Sequence, residues 1–367
     1  MVQRILSYAF NSKVRAATWN LLLIVCLVAS SQASQTKKPK GVPRPPDLLL
    51  EGGRKLSFDL VFSSERDVRG KPGFWTKLVD IVAGEPDYKQ MARPYSVAVD
   101  SKGRIIVTDP GMSAVHVFDP AHHKYKMLER QEKSKDSMFQ PQCVAVDAED
   151  NIYVTDSEAG KVFVWNSDGK YQRAIGSIKG GEGFFKRPTG IAIDNDARQI
   201  YVTDTLRDKV FVLDMNGQVL RTIGENGSGP GQFRYPTEVM VKNGYVAVVD
   251  AMNFRVEIFD RAGNFKSAIG DLGDSNGTVF RPKGIAVDSE DHIYLVEGLW
   301  GIVQVFDREG QLLYNFGGRG TQLGQFQLPA GLFIDGNDRV YVVDSYNRRI
   351  QVFQYSGPRT KAEGAKK

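Results

Sequence analysis

The chain has 367 residues, 41% of them hydrophobic and 25% charged, with 37 glycines, a globular composition that excludes bulk disorder and points to many turns. Its formal net charge of +5 does not belong to the body of the chain: residues 1–33 carry +3, 34–73 carry +4 and 357–367 carry +3, while 74–356 carry −5. A nucleic-acid binder concentrates positive charge on its folded surface, so nucleic acid is disfavoured as a partner.

Residues 1–33 read as a signal peptide. Arg4, Lys13 and Arg15 precede an apolar run from Ala16 to about Ala29 that contains no acidic residue, and Ser31-Gln32-Ala33 offers small residues for cleavage after Ala33. The run is shorter than the roughly 20 apolar residues of a spanning helix. Export to the periplasm or the extracellular space is expected. Cys26, after Leu23-Ile24-Val25, resembles a lipoprotein box with bulky Val25 where a small residue belongs; membrane attachment is expected only if this N-terminus is retained or lipidated. Once Cys26 is removed Cys143 stands alone, no internal disulfide is possible, and packing must carry the stability. Residues 34–73 form a basic, proline-containing segment with Lys37-Lys-Pro-Lys40 and Pro43-Arg-Pro-Pro46.

From residue 74 to 356 one phrase recurs six times, beginning at Pro94, Pro141, Pro188, Pro236, Pro282 and Pro329, and a second phrase follows each, ending in Asp109, Asp156, Asp204, Asp250, Glu297 and Asp344. The prolines are spaced by 47, 47, 48, 46 and 47 residues, a period that announces a repeat architecture. The third copy shows four short strands, Gly190–Asp194, Ile200–Asp204, Val210–Asp214 and Gln218–Gly224, separated by Asn195-Asp196, Asn216-Gly217 and glycine-rich turns. Four antiparallel strands make a blade, and six blades packed radially bury their faces and protect their edges, so the fold class is all-β, a six-bladed β-propeller. Small residues such as Gly190, Gly284 and Gly331 suit inner strands crowded at the axis. The sixth copy lacks a fourth strand. An N-terminal strand is expected to close the ring, and Trp75–Gly84, which ends like the other fourth strands, is the segment assigned to it. Residues 357–367 are a basic, flexible tail, and a monomer is expected.

These phrases resemble the NHL repeat, best seen in Asp344-Ser-Tyr-Asn-Arg-Arg-Ile-Gln-Val-Phe353. With the exported, proline-rich entry, the resemblance is to the secreted bacterial branch. It implies a propeller of a kind that binds proteins or RNA through one face; a few related propellers are lyases or lactonases, and fold alone does not choose between them. In the family the aspartate ending the second strand is bridged to a basic residue five positions on. Asp156/Lys161, Asp204/Lys209, Asp250/Arg255 and Asp344/Arg349 keep the pattern, whereas Asp109 is followed by Ala114 and Glu297 by Ile302.

In those two divergent blades Met112, Leu299 and Trp300 are candidate anchors for a protein partner, since large side chains bring contact area at little entropic cost. Arg93, Arg187 and Arg281, each just ahead of a repeat proline in alternate blades, are candidates for holding a small anionic ligand at one mouth of the channel. Glu238, where other inner strands carry a small residue, is expected to pair with one of these arginines. The alternative joins Glu238 to Asp109 and Glu297 as oxygen ligands of Ca²⁺; otherwise no metal or cofactor is expected. Lys242 replaces the aspartate that closes the other inner strands and reads as relief of repulsion at the opposite mouth. The four histidines, His116, His122, His123 and His292, occupy no equivalent inner-strand positions, which argues against a three-histidine zinc site. The sequence therefore favours an exported binding scaffold over its alternative, a metal-assisted lyase or lactonase acting at the channel mouth.

Overall fold

The computed structural model describes residues 43–70, 87–129, 137–178, 183–273 and 277–357. All but Pro43 belong to one compact unit that starts at Arg44. The expected signal peptide, the segment 74–84 and all of the tail but Gly357 lie outside the described residues.

The fold is all-β. Five sheets have four antiparallel strands in simple meander order and a sixth has five, with helical structure among the described residues confined to the 3-10 turns Glu51–Gly53 and Glu65–Asp67. Blade one runs Ser96–Val99, Ile105–Asp109, Ala114–Asp119 and Lys124–Leu128, and blade two starts at Pro141–Val146, blade three at Pro188–Asp194, blade four at Pro236–Lys242, blade five at Pro282–Val287 and blade six at Leu332–Ile334. The second strands Ile105–Asp109, Ile152–Asp156 and Ile293–Glu297 are buried at every position, and the other three at all but their first residue. Fourth strands alternate between exposed and covered residues, as in Lys124–Leu128, because the outer edge of a blade has solvent on one side.

The core is a ring of blade-to-blade interfaces. Ile106, Val115 and Val117 of blade one pack with Val144, Val154 and Phe163 of blade two, and Tyr201, Val210 and Val212 of blade three with Val239, Val246 and Val248 of blade four. Near the axis the inner strands touch. A Cβ on Gly190 would stand 2.7 Å from Cα of Glu238, and one on Gly331 would stand 2.6 Å from the carbonyl oxygen of Tyr95, so only glycine fits there. At the opposite mouth Lys242 donates through Nζ to the carbonyls of Val287 (2.7 Å) and Asp288 (3.1 Å), lashing blade four to blade five.

The ring is closed from the N-terminal side, with a correction to the segment that does it. The partner of the last strand, Arg349–Ser356, is Lys55–Phe62, in antiparallel register from Lys55 against Ser356 to Phe62 against Ile350, and Leu48–Leu49 adds a fifth strand outside it. Leu56, Phe58, Leu60 and Phe62 alternate along this strand. Leu56 and Phe62 are buried, the first against blades five and six and the second against blades six and one, while Phe58 stands edge-on to Phe353 at 5.7 Å. A bulge between Phe58 and Leu60 switches the face, so Leu56 and Phe58 reach one of the blade junctions that a free edge would leave open and Leu60 and Phe62 the other.

Blades four to six place a polar side chain two residues into the third strand. Glu257, Gln304 and Gln351 are all buried, and each accepts a loop N–H, from Gly231 (3.2 Å), Gly277 (2.9 Å) and Gly324 (2.8 Å). The two glutamines also donate, to the carbonyls of Thr278 and Gln325. Glu257 has no N–H to give and its Oε2 has no partner, so burial pushes its pKa up to about 7 although Arg255 opposes the shift.

Two outcomes are expected. Leu56→Ala and Phe62→Ala should each lower unfolding free energy by roughly 2–5 kcal/mol in denaturant titrations; unchanged midpoints would show that this strand does not seal the ring. Glu257→Gln should stabilise by about 1–2 kcal/mol at pH 8, because its Nε2 gains the Gln232 carbonyl. Since the folded pKa lies above the unfolded one, ionisation of Glu257 costs stability as pH rises from about 4.5 through about 7, and the gain should shrink at pH 5. A glutamine variant less stable than wild type at pH 8 would contradict this account.

Candidate functional site

The mouth of the channel is built on six carboxylates. Asp109 accepts the backbone N–H groups of Ala92 (2.6 Å) and Arg93 (2.9 Å), Asp156 those of Phe139 and Gln140, Asp204 those of Lys186 and Arg187, and Glu297 those of Phe280 and Arg281. Asp250 and Asp344 accept from Arg234 and Gln327, both at 2.7 Å. Each carboxylate is essentially buried and thereby fixes the loop that enters its own blade just ahead of the repeat proline. Burial pushes the carboxyls of Asp156, Asp250, Glu297 and Asp344 up. Asp109 is pushed the same way by burial, but His116 and the backbone donors outweigh it and the net shift is down.

Of the expected basic partners, Arg255 meets Asp250 at 3.1 Å and Arg349 meets Asp344 at 2.7 Å. In blade two Asp156 and Lys161 stand opposite each other across adjacent strands. In blade three Asp204 pairs with Arg207, three positions on, at 3.6 Å. Blade one substitutes His116, whose Nε2 lies 3.3 Å from Asp109 and whose Nδ1 lies 2.7 Å from the Tyr125 hydroxyl.

Above this frame opens a pocket of about 600 Å³. Arg93, Arg187 and Arg281 all line it, together with Lys186 and Lys283, and Glu158 is the one carboxylate among its lining residues. The three arginines and Lys186 are exposed at the rim, and half-buried Lys283 stands in the wall. Burial lowers the Lys283 pKa, and Arg281 and Arg187 lower it further by repulsion. Lys186 and Lys283 flank Arg187-Pro188 and Arg281-Pro282 in the chain, an adjacency that could have added them to the sequence reading.

Glu238 does not pair with an arginine. Its Oε1 accepts from Sγ of Cys143 (3.2 Å) and from its own strand at Val239 N (3.3 Å). The rim arginines sit ahead of the prolines, whereas Glu238 lies two residues beyond one, deeper in the channel. The contact spans blade three: a Cβ on Gly190 would come within 2.9 Å of Glu238 Oε1, so the missing side chain opens the passage between blades four and two. Burial pushes Glu238 up to about 7, with Cys143, Val239 and Lys283 pulling the other way. Cys143, which also lies 3.3 Å from Ser96 Oγ, is pushed up by burial and then by Glu238, which keeps it a thiol and a poor nucleophile.

Of the proposed apolar anchors, Trp300 is exposed, whereas Met112 and Leu299 are half-buried. Asp109 and Glu297 turn to backbone N–H groups, and among the described residues no group of three or more His, Cys, Asp or Glu side chains could hold a metal ion. The structure thus does not bring Asp109, Glu238 and Glu297 together. His122 bonds Asp119, His123 the Val68 carbonyl and His292 Asp288, so the histidines are dispersed.

With this geometry, a family described as a 6-bladed beta-propeller matches residues 138–210 and 196–256, and the NHL repeat matches residues 326–353. The chain is a six-bladed propeller that carries an NHL repeat in its last blade. No curated protein matches it. Among solved structures, this propeller is similar to virginiamycin B lyase from Staphylococcus aureus (13% identity, 82% of this chain and 99% of that one, TM-score 0.54). It is also similar to an auxiliary nutrient binding protein from Bacteroides thetaiotaomicron (13% identity, 72% and 69%, TM-score 0.56) and to a protein of unknown function from the same organism (16%, 85% and 84%, 0.57). At these identities the likeness is one of fold.

The raised Glu238 pKa makes a signed prediction. Ionisation is harder in the folded protein than in the unfolded chain, so Glu238 lowers stability as pH rises from about 4.5 through about 7. Glu238→Gln should leave stability near wild type at pH 4 and raise it by roughly 1–3 kcal/mol at pH 8, read from urea midpoints across the range. Parallel pH profiles for the two proteins would refute the assignment.

Proposed function

We propose that this NHL propeller is an exported binding protein that takes anionic ligands at its channel mouth. The observation that carries the reading is the convergence of Arg93, Lys186, Arg187, Arg281 and Lys283 on one pocket that Glu158 alone of the carboxylates lines. Such a site loses folding stability to mutual repulsion and recovers it when an anion binds. Guanidinium groups suit carboxylate, phosphate and sulfate because their N–H groups match two oxygens at once. A pocket of about 600 Å³ is in the range of small-molecule sites. The nutrient-binding neighbour uses a similar fold. The lyase neighbour shares it too, but the residues at this mouth are cations built for holding charge, which supports binding over bond cleavage.

Protonated Glu238 leaves the wall positive; ionised Glu238 adds a negative charge behind it. Anion affinity should therefore fall as pH rises from about 6 to about 8. Thermal melts and calorimetric titrations with sulfate and citrate, against chloride at equal ionic strength, test both points. The expected result is a melting increase specific to the polyvalent anions, affinity reduced at least about tenfold in Arg187→Ala/Arg281→Ala, and a flat pH response in Glu238→Gln. Equal shifts in wild type and the double variant would overturn the reading.

A further inference from the structure

The anion pocket lies inside a larger, one-sided apolar surface. The loops after the second strands of blades three to six present Leu206, Met252, Trp300 and Tyr346, and the loops ahead of the prolines of blades four and five add Tyr235 and Phe280. These six side chains are between 38% and 64% exposed. Blades one and two offer half-buried Met112 and exposed Glu158 at the matching places. The result is a crescent over four blades whose hollow is the cationic mouth. Monomeric proteins rarely leave so many large apolar groups on one face without a partner.

The backbone shows that the crescent is built. Tyr235 and Leu328, each directly before a repeat proline, have left-handed φ values of 61° and 47°, although a residue in that place favours the extended region and a bulky one avoids positive φ. In their blades the second-strand loop bonds one carbonyl earlier, Met252 N to Arg234 O (3.0 Å) and Tyr346 N to Gln327 O (3.1 Å), whereas Thr205 N and Gly298 N reach Arg187 O and Arg281 O. The shift leaves Tyr235 where its hydroxyl accepts from Arg187 Nη1 at 3.3 Å and Leu328 in the pocket wall. Apolar groups are thereby set between the arginines, and backbone conformations of this kind gather where ligands are held.

We infer that this face docks a protein partner through a segment that places carboxylates, from acidic side chains or a chain end, against Arg187 and Arg281 and lays neighbouring apolar side chains on the crescent. This rests on the anion-site reading above. Charge complementarity requires a negative partner. Aliphatic Leu206 and Met252 beside the aromatics fit peptide side chains better than sugar rings, and a concave mouth takes a projecting segment better than a flat lipid surface. Arginine with tryptophan and tyrosine is also the composition of interface centres.

The test selects random twelve-residue peptides displayed on phage against the full chain and measures the winners by calorimetry, with phosphatidylglycerol vesicles and sulfate as separate probes. Selected peptides are expected to carry Asp or Glu within a few residues of Leu, Phe or Trp. Their affinity is expected to drop at least about tenfold in Arg187→Ala/Arg281→Ala and in Trp300→Ala/Tyr346→Ala, with melting curves confirming that both variants fold. Peptides without acidic residues, or insensitive to the Trp300/Tyr346 pair, overturn the inference, as does binding to the vesicles with no peptide selected. If sulfate still binds while peptides fail, the docking inference falls alone; if sulfate also fails, the anion site falls with it.

Discussion

The hydrogen bonds from six buried carboxylates to backbone N–H groups hold this molecule's working face in place. A carboxylate taken out of water must be satisfied by donors, and here the donors are main-chain groups 16 to 18 residues upstream, as in Asp109 to Arg93 and Ala92. Each such bond ties the entry of a blade to the end of its second strand. Because the contact is to backbone, the side chains of the entry loops are released from structural duty. The position before the proline is Arg93, Gln140, Arg187, Tyr235, Arg281 and Leu328 in turn, a range of chemistry that one frame carries without change of fold.

Burial elsewhere comes into conflict with charge, and the two conflicts have different origins. Glu257 sits where the neighbouring repeats use glutamine, and its unpartnered oxygen is the result of placing an acceptor where a donor is needed. Glu238 instead occupies a position that the axis normally restricts to small residues. It fits only because Gly190 in the adjacent blade has no side chain and lets the carboxylate reach Cys143. Glu257 strains a repeat rule in the core, while Glu238 lies behind the wall of the pocket and bears on its charge.

The repeat was legible because its punctuation is periodic: a proline every 46 to 48 residues and an acid at the end of each second strand define blades without tertiary information. The closing strand was not, since Trp75–Gly84 copies the glycine ending of a fourth strand whereas Lys55–Phe62 carries only an alternation of Leu56, Phe58, Leu60 and Phe62, and which of two strands pairs with a distant edge is decided by packing. The three arginines could be read from their alternation, and their convergence follows from the ring. The partner of Glu238 could not, because Cys143 precedes it by 95 residues and the path between them runs through the empty side of a glycine. Met112 and Leu299 were candidate anchors on loop position alone, and in the fold both are half-buried.

The chemistry of the mouth follows from what surrounds Glu238. A thiolate at Cys143 would need a nearby cation or an ionised environment; it has burial and a carboxylate, both of which hold the proton on sulfur. The same burial holds a proton on Glu238 up to about pH 7. The wall behind the arginines therefore consists of two neutral groups below that pH and gains a negative charge above it. An anion held at the proposed site would oppose an ionised Glu238, so by linkage its binding would raise the Glu238 pKa and draw in a proton. On the proposed anion-site reading the pocket would bind proton and anion cooperatively, with Glu238 as the group through which they are coupled.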